Sequence, residues 1–491
     1  MVTVVVVFAV ALGCSAILTP LVRNAAVRSN LLDIAASSRK VHAQPIPRLG
    51  GIAIAAGFLV PIVGLLIFHP SGALFSLELK RTAGLLAGGL LIIALGLYDD
   101  LRGANARVKF AVQIVAASLT FALGYRIEAL ALPFVDGIPL GPFAYPFTVF
   151  WIVGVINAFN LLDGLDGLAG GTAFIAAGAL FTIALAGHHP LVMVATAALA
   201  GAVLGFLFFN WNPASIFMGD TGSLFLGFVL ATTAIRASAT PSGAVDLLIP
   251  ILVFGIPIGD TLLAMARRWL RGAPLFSADR GHIHHRLLAK GLSHRDTVLV
   301  AYGVSLCLGA AALVLARAED LEGLAALVLV AAGSLALLHW LGYIQWARIG
   351  EVIETRRRNQ RRRREVARIA GRLRNAAHPL GVWDTVVAAT EPLVADRVVL
   401  RAGPHAFSAG IDEVRALHVA RFNLHPDRPG RDFIELGWLG ARQIDRDTEL
   451  AVEFLCDNVR KALLRVDPAV AVHPALTAGA ASNVVTLRKS A

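Results

Sequence analysis

The chain has 491 residues, of which 56% are hydrophobic and 16% are charged, and its mean hydropathy is +0.69. This is the composition of a membrane protein. The three cysteines, Cys14, Cys307 and Cys456, are far apart and form no CxxC pair, which excludes a cysteine zinc site and a disulfide framework. The net charge of +11 would suit nucleic-acid binding, but residues 356–374 alone contain ten Arg and one Glu. A basic run after a hydrophobic segment indicates a cytoplasmic anchor facing anionic lipid, so no nucleic-acid partner is expected.

Apolar segments dominate the first two thirds of the chain. About 20 apolar residues are needed to cross a hydrocarbon core of roughly 30 Å. The first segment has no basic residues before it, which predicts a transmembrane helix and not a cleaved signal peptide. The predicted fold class is therefore an all-α polytopic membrane protein with about eleven transmembrane helices. The predicted spans are 2–22, 49–68, 82–98, 109–125, 143–159, 168–186, 190–209, 222–236, 245–266, 297–316 and 323–346.

Lys and Arg in the loops predict the orientation. One set of alternate loops contains 15 of these residues and the opposite set contains 5. Because cytoplasmic loops carry the excess of positive charge, the first set is predicted to be cytoplasmic and the N-terminus outside. The Arg-rich segment after the last span then lies inside, as its charge requires. These patterns predict a multi-pass membrane protein.

The character of the sequence changes after the last apolar segment. Residues 1–346 form the predicted transmembrane domain, and 347–375 a basic, helical cytoplasmic linker. Residues 376–475 alternate apolar and polar in short runs and end in an amphipathic helix, which predicts a small soluble α+β domain in the cytoplasm. The strand–helix order around "IELGWLGARQIDRDTEL" resembles the end of a GAF-type sensor domain. Residues 476–491 are predicted to be a disordered tail.

Five polar stretches lie in loops on the predicted cytoplasmic side. The first, "RKVHAQPIPRLGG", carries Lys40, His42 and Arg48, and it is either a positively charged topology signal or a cationic patch for phosphates. The second, "YDDLRG", places Asp99 and Asp100 at a helix C-terminus, where the helix dipole disfavours acids. Such a pair can bind Mg²⁺ or act as a base, or it can be a solvated helix end.

The third stretch, "NAFNLLDGLDGLAGG", contains Asn157, Asn160, Asp163 and Asp166 at the mouth of a predicted membrane helix. An Asp within the membrane costs roughly 2.5–3.5 kcal/mol on insertion scales, so these groups are expected to serve a function. Two acids and two amides suit a hard cation with oxygen ligands and a polar substrate. A structural network between helices is the alternative.

The last two stretches precede the eighth span and follow the ninth. "FNWNPASIFMGDTGS" places Asp220 beside hydroxyl groups near a helix N-terminus, which suits a metal–phosphate complex or a simple helix cap. In "DRGHIHHRLL", the interleaved Arg residues favour an anion site, because no set of four ligands for zinc is present. Its candidate residues are His282, His284, His285 and Arg286. Acidic and basic groups on one face together indicate a cytoplasmic nucleotide substrate that meets a membrane-embedded acceptor.

With these motifs, residues 1–346 resemble the polyprenyl-phosphate N-acetylhexosamine-1-phosphate transferases. The resemblance implies transfer of a sugar 1-phosphate, most simply GlcNAc-1-phosphate, from a UDP-N-acetylhexosamine to undecaprenyl phosphate. The products are an undecaprenyl-diphosphate sugar and UMP. It also implies dependence on Mg²⁺, with Mn²⁺ as an alternative metal, and membrane lipid and a homodimer as partners. The expected location is the bacterial inner (cytoplasmic) membrane.

The resemblance assigns roles to the candidate residues. Asp220 is the foremost Mg²⁺ ligand and Asn160 the second, Asp163 orients the metal cluster, and Asp166 with Asn210 contributes to the uridine pocket. Asp99 and Asp100 lie against the acceptor phosphate, either as a base or as positioning groups. The remaining substrate-binding residues are Lys40, His42, Arg48, Asn157, His282, His284, His285 and Arg286.

Several alternatives stay open at the level of sequence. The "HIHHRL" loop, interrupted by Ile283, favours the branch that begins O-antigen, enterobacterial common antigen, teichoic acid or arabinogalactan synthesis. The phospho-N-acetylmuramoyl-pentapeptide transferases of peptidoglycan synthesis are the nearest alternative. A transporter would require an internal repeat and acids at mid-membrane, and a CDP-alcohol phosphotransferase would require an Arg that "DGLAGG" does not contain. A regulatory protein with a decayed core is disfavoured by the complete acidic set.

Overall fold

The computed structural model describes residues 1–29, 31–33, 46–68, 78–132, 135–240, 244–270, 281–317, 320–343, 349–402, 405–411, 417–424, 432–439, 446–466 and 484–486. The chain divides into two compact units. The first consists of Met1–Met265 and Asp279–Ile344, and the second of Ala266–Ala278 and Gln345–Ala491.

The first unit is built of helices. They are numbered in chain order as α1 (Val2–Arg28), α2 (Gly51–Phe68), α3 (Leu79–Arg102), α4 (Ala106–Ala122), α5 (Ala144–Leu162), α6 (Leu168–Ala186), α7 (Pro190–Asn210), α8 (Gly219–Ala237), α9 (Leu248–Val253), α10 (Gly255–Leu270), α11 (Ile283–Ala289), α12 (His294–Leu315) and α13 (Asp320–Trp340). Short strands lie in the connections: β1 (Leu32–Asp33) pairs with β2 (Ile46–Pro47), and β3 (Ala129–Leu132) pairs with both β4 (Val135–Pro139) and β5 (Val245–Asp246).

Eight of the helices in the described ranges are long and apolar enough to cross a membrane. They are α1, α2, α3, α5, α6, α7, α12 and α13. The chain is therefore a multi-pass membrane protein, as the hydropathy pattern predicts. Two further predicted spans coincide with α4, which has 17 residues, and with α8. The total of eleven spans and their orientation stay predictions.

The predicted ninth span, 245–266, is not one continuous helix, and its crossing of the membrane stays a prediction. The segment starts as β5 and continues as α9 and α10, with Phe254 between the two helices. Pro257 has no N–H to donate to the carbonyl four residues earlier, so it removes a helical hydrogen bond at this point. The break sets the direction of α10, which carries Asp260.

Helix α8 lies in the middle of the first unit. It packs against α2, α3, α5, α6 and α7, and 16 of its residues are buried. Three glycines permit backbone contact around it. A Cβ added at Gly51 would lie 2.1 Å from Gly222 N, and one added at Gly96 would lie 2.4 Å from Thr221 Cα. A Cβ added at Gly227 would lie 2.6 Å from Ile156 Cα. The N-terminus of α8 is consequently enclosed by the ends of neighbouring helices.

The second unit has a mixed architecture. Its elements in the described ranges are α14 (Ile349–Arg372), α15 (Pro379–Ala388), α16 (Thr390–Leu393), β6 (Arg397–Ala402), β7 (His405–Gly410), β8 (Leu417–Asn423), β9 (Phe433–Leu439), α17 (Arg446–Val466) and β10 (Val484–Thr486). The strands form one antiparallel sheet in the order β10–β8–β9–β6–β7. Strand β10 lies within the predicted tail, whose other residues are outside the described ranges.

Helix α14 belongs to the core of the second unit. It falls within the predicted linker, yet Val366, Ile369 and Ala370 are buried among side chains of the sheet and of α17. Its Arg residues at positions 357, 358, 361, 364 and 368 are exposed. The amphipathic pattern of α14 therefore reflects packing on one face and charge on the other.

Candidate active site

The acidic residues converge on the N-terminus of α8. Asp100, in the last turn of α3, accepts hydrogen bonds from the main-chain N–H groups of Asp220 (2.9 Å) and Thr221 (3.0 Å) and from the Thr221 hydroxyl (2.6 Å). Asp100 is buried. A carboxylate at this position satisfies N–H groups that have no partner within the helix and complements the helix dipole. Asp100 thus holds the start of α8, which leaves the Asp220 carboxylate available for other contacts.

The "RLGG" segment lies beside the same helix end. Phe217 N–H donates to the Pro47 carbonyl (2.8 Å), and Gly50 N–H donates to the Phe217 carbonyl (2.9 Å). Gly219 has a φ of +67°, and a Cβ there would lie 2.2 Å from the Arg48 carbonyl oxygen, so both conformation and space require glycine. The Arg48 charge acts on the Asp100 carboxylate. Lys40 and His42 lie outside the described residues.

Lys109 joins two of the predicted acids. Its ammonium group forms ion pairs with both Asp99 and Asp220, which are far apart in the chain. Asp99 also accepts a hydrogen bond from Ala104 N–H (2.5 Å). Lys109 lies in the first turn of α4, which Asn105 caps through Val108 N–H (2.9 Å). The sequence patterns did not indicate Lys109, although an Asn cap and a Lys soon after "YDDLRG" could have placed it beside that motif.

The two asparagines of the third stretch have different surroundings. The Asn160 amide donates to Asp220 Oδ1 (3.1 Å) and to the Ser223 hydroxyl (2.9 Å), so Asn160 joins the acidic cluster. The Asn157 amide donates to Gln113 Oε1 (2.7 Å) and to the Val153 carbonyl (2.8 Å). Asn157 is therefore directed at α4, one helical turn away from the cluster.

The loop between α5 and α6 contains the other two acids. Desolvation, followed by the negative charges of Asp220, Asp100 and Asp166, raises the pKa of Asp163 to about 8. Asp163 therefore interacts electrostatically with the other carboxylates of the cluster. Asp166 Oδ2 accepts hydrogen bonds from the Asn212 amide (2.9 Å) and from Ala214 N–H (3.0 Å), so it holds the loop before α8.

Asn210 connects these two loops. Its Oδ1 accepts from Gly167 N–H (3.0 Å), and its amide donates to the Ile216 carbonyl (2.9 Å). The Tyr302 hydroxyl donates to the Gly167 carbonyl (2.6 Å) and lies so close to Gly171 that a Cβ there would be 1.8 Å away. Asn210, which is 3% exposed, therefore braces the site through main-chain groups of both loops.

The histidines form a second group beside the acidic loop. His282 and His284 are buried with nearly parallel rings whose centroids are 5.7 Å apart. A Cβ at Gly164 would lie 2.9 Å from His284 Nε2, so His284 borders the loop that carries Asp163. Burial, followed by the charge of His285, lowers the pKa of His284 to about 4, which leaves this ring neutral at pH 7.

Arg286 contacts an aromatic ring. Its guanidinium group lies over the ring of Tyr343, 4.8 Å from the centroid, and Tyr343 donates to the Gly281 carbonyl (2.7 Å). Asp260, which the sequence analysis did not select, binds His282 Nδ1 at 2.7 Å. An acid within an apolar predicted span was the signal that could have identified it.

The acidic cluster has the donor chemistry of a magnesium site. No group of three His, Cys, Asp or Glu side chains converges on a metal-sized position within the described ranges. Mg²⁺ is usually bound by one or two carboxylates together with water and substrate phosphates, so a larger protein cage is not needed. Asp99 and Asp220, which share the Lys109 ammonium, could supply two carboxylate ligands. Asn160 faces Asp220 and Ser223 with its amide nitrogen, so it could bind an ion through Oδ1 only after the amide rotates.

A comparison with known proteins identifies the part of the chain that contains the acidic cluster. Residues 82–238 match the family model described as glycosyl transferase family 4. The chain is 40% identical over 319 residues to a probable undecaprenyl-phosphate N-acetylglucosaminyl 1-phosphate transferase of Bacillus subtilis, covering 65% of this chain and 86% of the relative. It is 37% identical over 291 residues to a decaprenyl-phosphate N-acetylglucosaminephosphotransferase of Mycobacterium tuberculosis, covering 54% and 70%. It is also 38% identical over 236 residues to a phospho-N-acetylmuramoyl-pentapeptide-transferase of Nostoc, covering 44% and 60%.

Proposed function

The chain belongs to glycosyl transferase family 4, and on this basis we propose that it transfers N-acetylglucosamine 1-phosphate from UDP-GlcNAc to undecaprenyl phosphate. An oxygen of the lipid phosphate attacks the phosphorus that carries the sugar, and the bond from that phosphorus to the UMP oxygen breaks. The products are undecaprenyl-diphosphate-GlcNAc and UMP. The convergence of Asp99, Asp220 and Asn160 on one helix end carries the proposal.

Two anionic substrates must approach each other in this reaction. Phosphoryl transfer relies mainly on positioning and on stabilisation of charge. Lys109 and Arg48 supply fixed positive charge at the acidic cluster. Asp99, Asp220 and Asn160 would hold a Mg²⁺ ion, which when bound neutralises the charge on the diphosphate oxygens. Mn²⁺, which prefers similar oxygen ligands, is the alternative metal.

No general base is needed for the acceptor. The second pKa of a phosphate monoester is about 6, so much of the lipid phosphate is already a dianion at neutral pH. Both oxygens of Asp100 are engaged by α8, which suits a positioning role. Asp99 has one carboxylate oxygen on Ala104 N–H and an ion pair to Lys109, and we place it beside the acceptor phosphate.

The proposed reaction takes place at the cytoplasmic face of the inner membrane, where UDP-sugars are present. The distribution of Lys and Arg in the loops supports this orientation. The carbohydrate product would begin an envelope polysaccharide such as O-antigen. The interrupted "HIHHRL" motif and the names of the Bacillus subtilis and Mycobacterium tuberculosis relatives favour GlcNAc over the muramoyl-pentapeptide substrate.

The test is a transfer assay with purified protein, undecaprenyl phosphate and radiolabelled donors. Lipid-extractable label from UDP-GlcNAc with release of UMP, lost on chelation and restored by Mg²⁺, is the expected result. Label from UDP-MurNAc-pentapeptide alone would instead place the chain in peptidoglycan synthesis. Asp220→Asn should abolish turnover in protein that still inserts and folds. The matched control is Asp246→Asn, which alters a carboxylate that accepts from Leu248 N–H (3.0 Å) near β5.

A further inference from the structure

Asp260 is a buried acid for which the proposed reaction gives no direct role. It lies in α10 and is 2% exposed. Its Oδ2 lies 2.7 Å from His282 Nδ1, and its Oδ1 accepts a hydrogen bond from Ile283 N–H (2.8 Å). A buried carboxylate is costly unless it is hydrogen-bonded, and both oxygens of Asp260 are. Both of these contacts are with atoms at the start of α11.

These contacts determine the tautomer of His282. A carboxylate only accepts hydrogen bonds, so the hydrogen-bond network assigns the proton of the neutral ring to Nδ1. Nε2 then carries the lone pair. Among the described residues, no group forms a hydrogen bond with His282 Nε2. The ring is therefore fixed at one nitrogen and available as an acceptor at the other.

The position of the ring is also fixed. One side of His282 stacks nearly parallel to His284, and His284 borders Gly164 in the loop that carries Asp163. The two rings are within 6° of parallel, so rotation of the His282 ring would disturb its packing against His284. The hydrogen bond to Asp260 and the stacking on His284 together fix the orientation of the His282 ring beside the loop that carries Asp163.

We propose that Asp260 is a positioning residue that presents His282 Nε2 to the UDP-sugar as a hydrogen-bond acceptor. A hydroxyl or amide N–H of the donor sugar is the kind of group that this nitrogen would bind. The inference rests on the proposed function. Carboxylates that orient a functional histidine through its other ring nitrogen typically affect activity 10–100-fold in metal sites, and a change of about that size is expected here.

The Asp260→Asn variant separates orientation from simple support of α11. The new side chain would keep an oxygen for Ile283 N–H, and its amide would face His282 Nδ1. The ring would then have to accept at Nδ1 and carry its proton on Nε2, which converts the presented acceptor into a donor. The size of the side chain is unchanged, so the fold should be kept. His282→Asn is the complementary change, because its amide can still donate to Asp260 while nothing replaces Nε2.

The experiment compares the full-length wild type with Asp260→Asn, His282→Asn and the double variant in the UDP-GlcNAc transfer assay. Each single variant should lower kcat/KM for UDP-GlcNAc about 10–100-fold with little change in Tm. The double variant should be no slower than His282→Asn alone, because both changes act through the same nitrogen. Asp246→Asn should match the wild type.

Each other outcome has a definite meaning. Wild-type activity in either single variant would overturn the inference, and so would losses that multiply in the double variant. If Asp260→Asn does not fold, the kcat/KM of His282→Asn alone decides, since its contact with Asp260 is preserved. An inactive wild type would refute the proposed function instead, so the two failures are distinguishable.

Discussion

The adjacent aspartates of "YDDLRG" should respond differently to the same substitution. Asp100 is 7% exposed and accepts three hydrogen bonds from the first turn of α8. Asp99 binds the end of a long lysine side chain and one main-chain N–H. We therefore expect Asp100→Asn to destabilise the first unit, and Asp99→Asn to reduce activity with a smaller effect on stability.

The size of the Asp100 effect follows from its contacts. An Asn oxygen could keep both Thr221 contacts, but its amide group would then face Asp220 N–H, a second donor. The loss of one hydrogen bond to a charged acceptor costs about 1.5–3 kcal/mol. The loss of negative charge at a helix N-terminus adds about 0.3–1 kcal/mol, or up to about 2 kcal/mol in a partly buried position. The sum is about 2–5 kcal/mol.

Thermal unfolding in detergent or nanodiscs tests this expectation. A loss of this size should lower Tm by about 5 °C or more, since 1 kcal/mol corresponds to about 2–4 °C in domains of 150–250 residues. Asp246→Asn, which changes a carboxylate that accepts from Leu248 N–H, should lower Tm less. An Asp100→Asn protein with wild-type Tm and no activity would refute the reasoning, because it would show that the carboxylate acts in the chemistry and not on the start of α8.

Three other predictions follow from single features. The pKa of His284 is lowered from 6.5 to about 4, so the free energy of unfolding should fall by up to about 3 kcal/mol as the pH decreases from 6.5 to 4. The His284→Gln variant should show a weaker dependence of Tm on pH over this range. Gly171→Ala should lower Tm strongly, since its Cβ would lie 1.8 Å from the Tyr302 hydroxyl, whereas Gly178→Ala, which meets nothing within 4 Å, should not. A chain that ends at residue 344 should keep transfer activity in the radiolabel assay, because the residues that bind one another in the candidate site precede that point; loss of activity in folded protein would contradict this.

The helices and the location of the site could be predicted because their signals are local. Apolar length determines most spans, and Lys and Arg counts group the loops without any knowledge of contacts. All five polar stretches assigned to one face in this way have described residues near the start of α8 or beside the α5–α6 loop. The structure thus brings residues of these motifs close together, whereas their roles stay predictions and the segment with Lys40 and His42 lies outside the described residues.

The role of each residue could not be predicted from the same signals. "YDDLRG" does not show which Asp will meet α8, because that depends on how α3 packs against Thr221 through Gly96. Lys109 looks like an ordinary residue of a basic helix start, and its partner Asp220 lies 111 residues away. Asp260 looks like an ordinary residue of an apolar span, and its partner His282 lies 22 residues away. Such pairings are set by tertiary packing, which neither hydropathy nor motif spacing describes.

The contacts also explain how the chain tolerates so many polar groups beside membrane helices. Asp100, Asp166 and Asn210 use their polar atoms on main-chain groups of the surrounding loops. Such bonds offset the desolvation of a buried charge or amide, so these residues stabilise the fold of the site without a ligand. Asp220 is balanced by the Lys109 ammonium and the Asn160 amide. Asp163 accepts no such hydrogen bond from the described residues, and burial together with the neighbouring negative charges raises its pKa. In the proposed reaction, a divalent cation held by Asp99 and Asp220 would offset this concentration of negative charge.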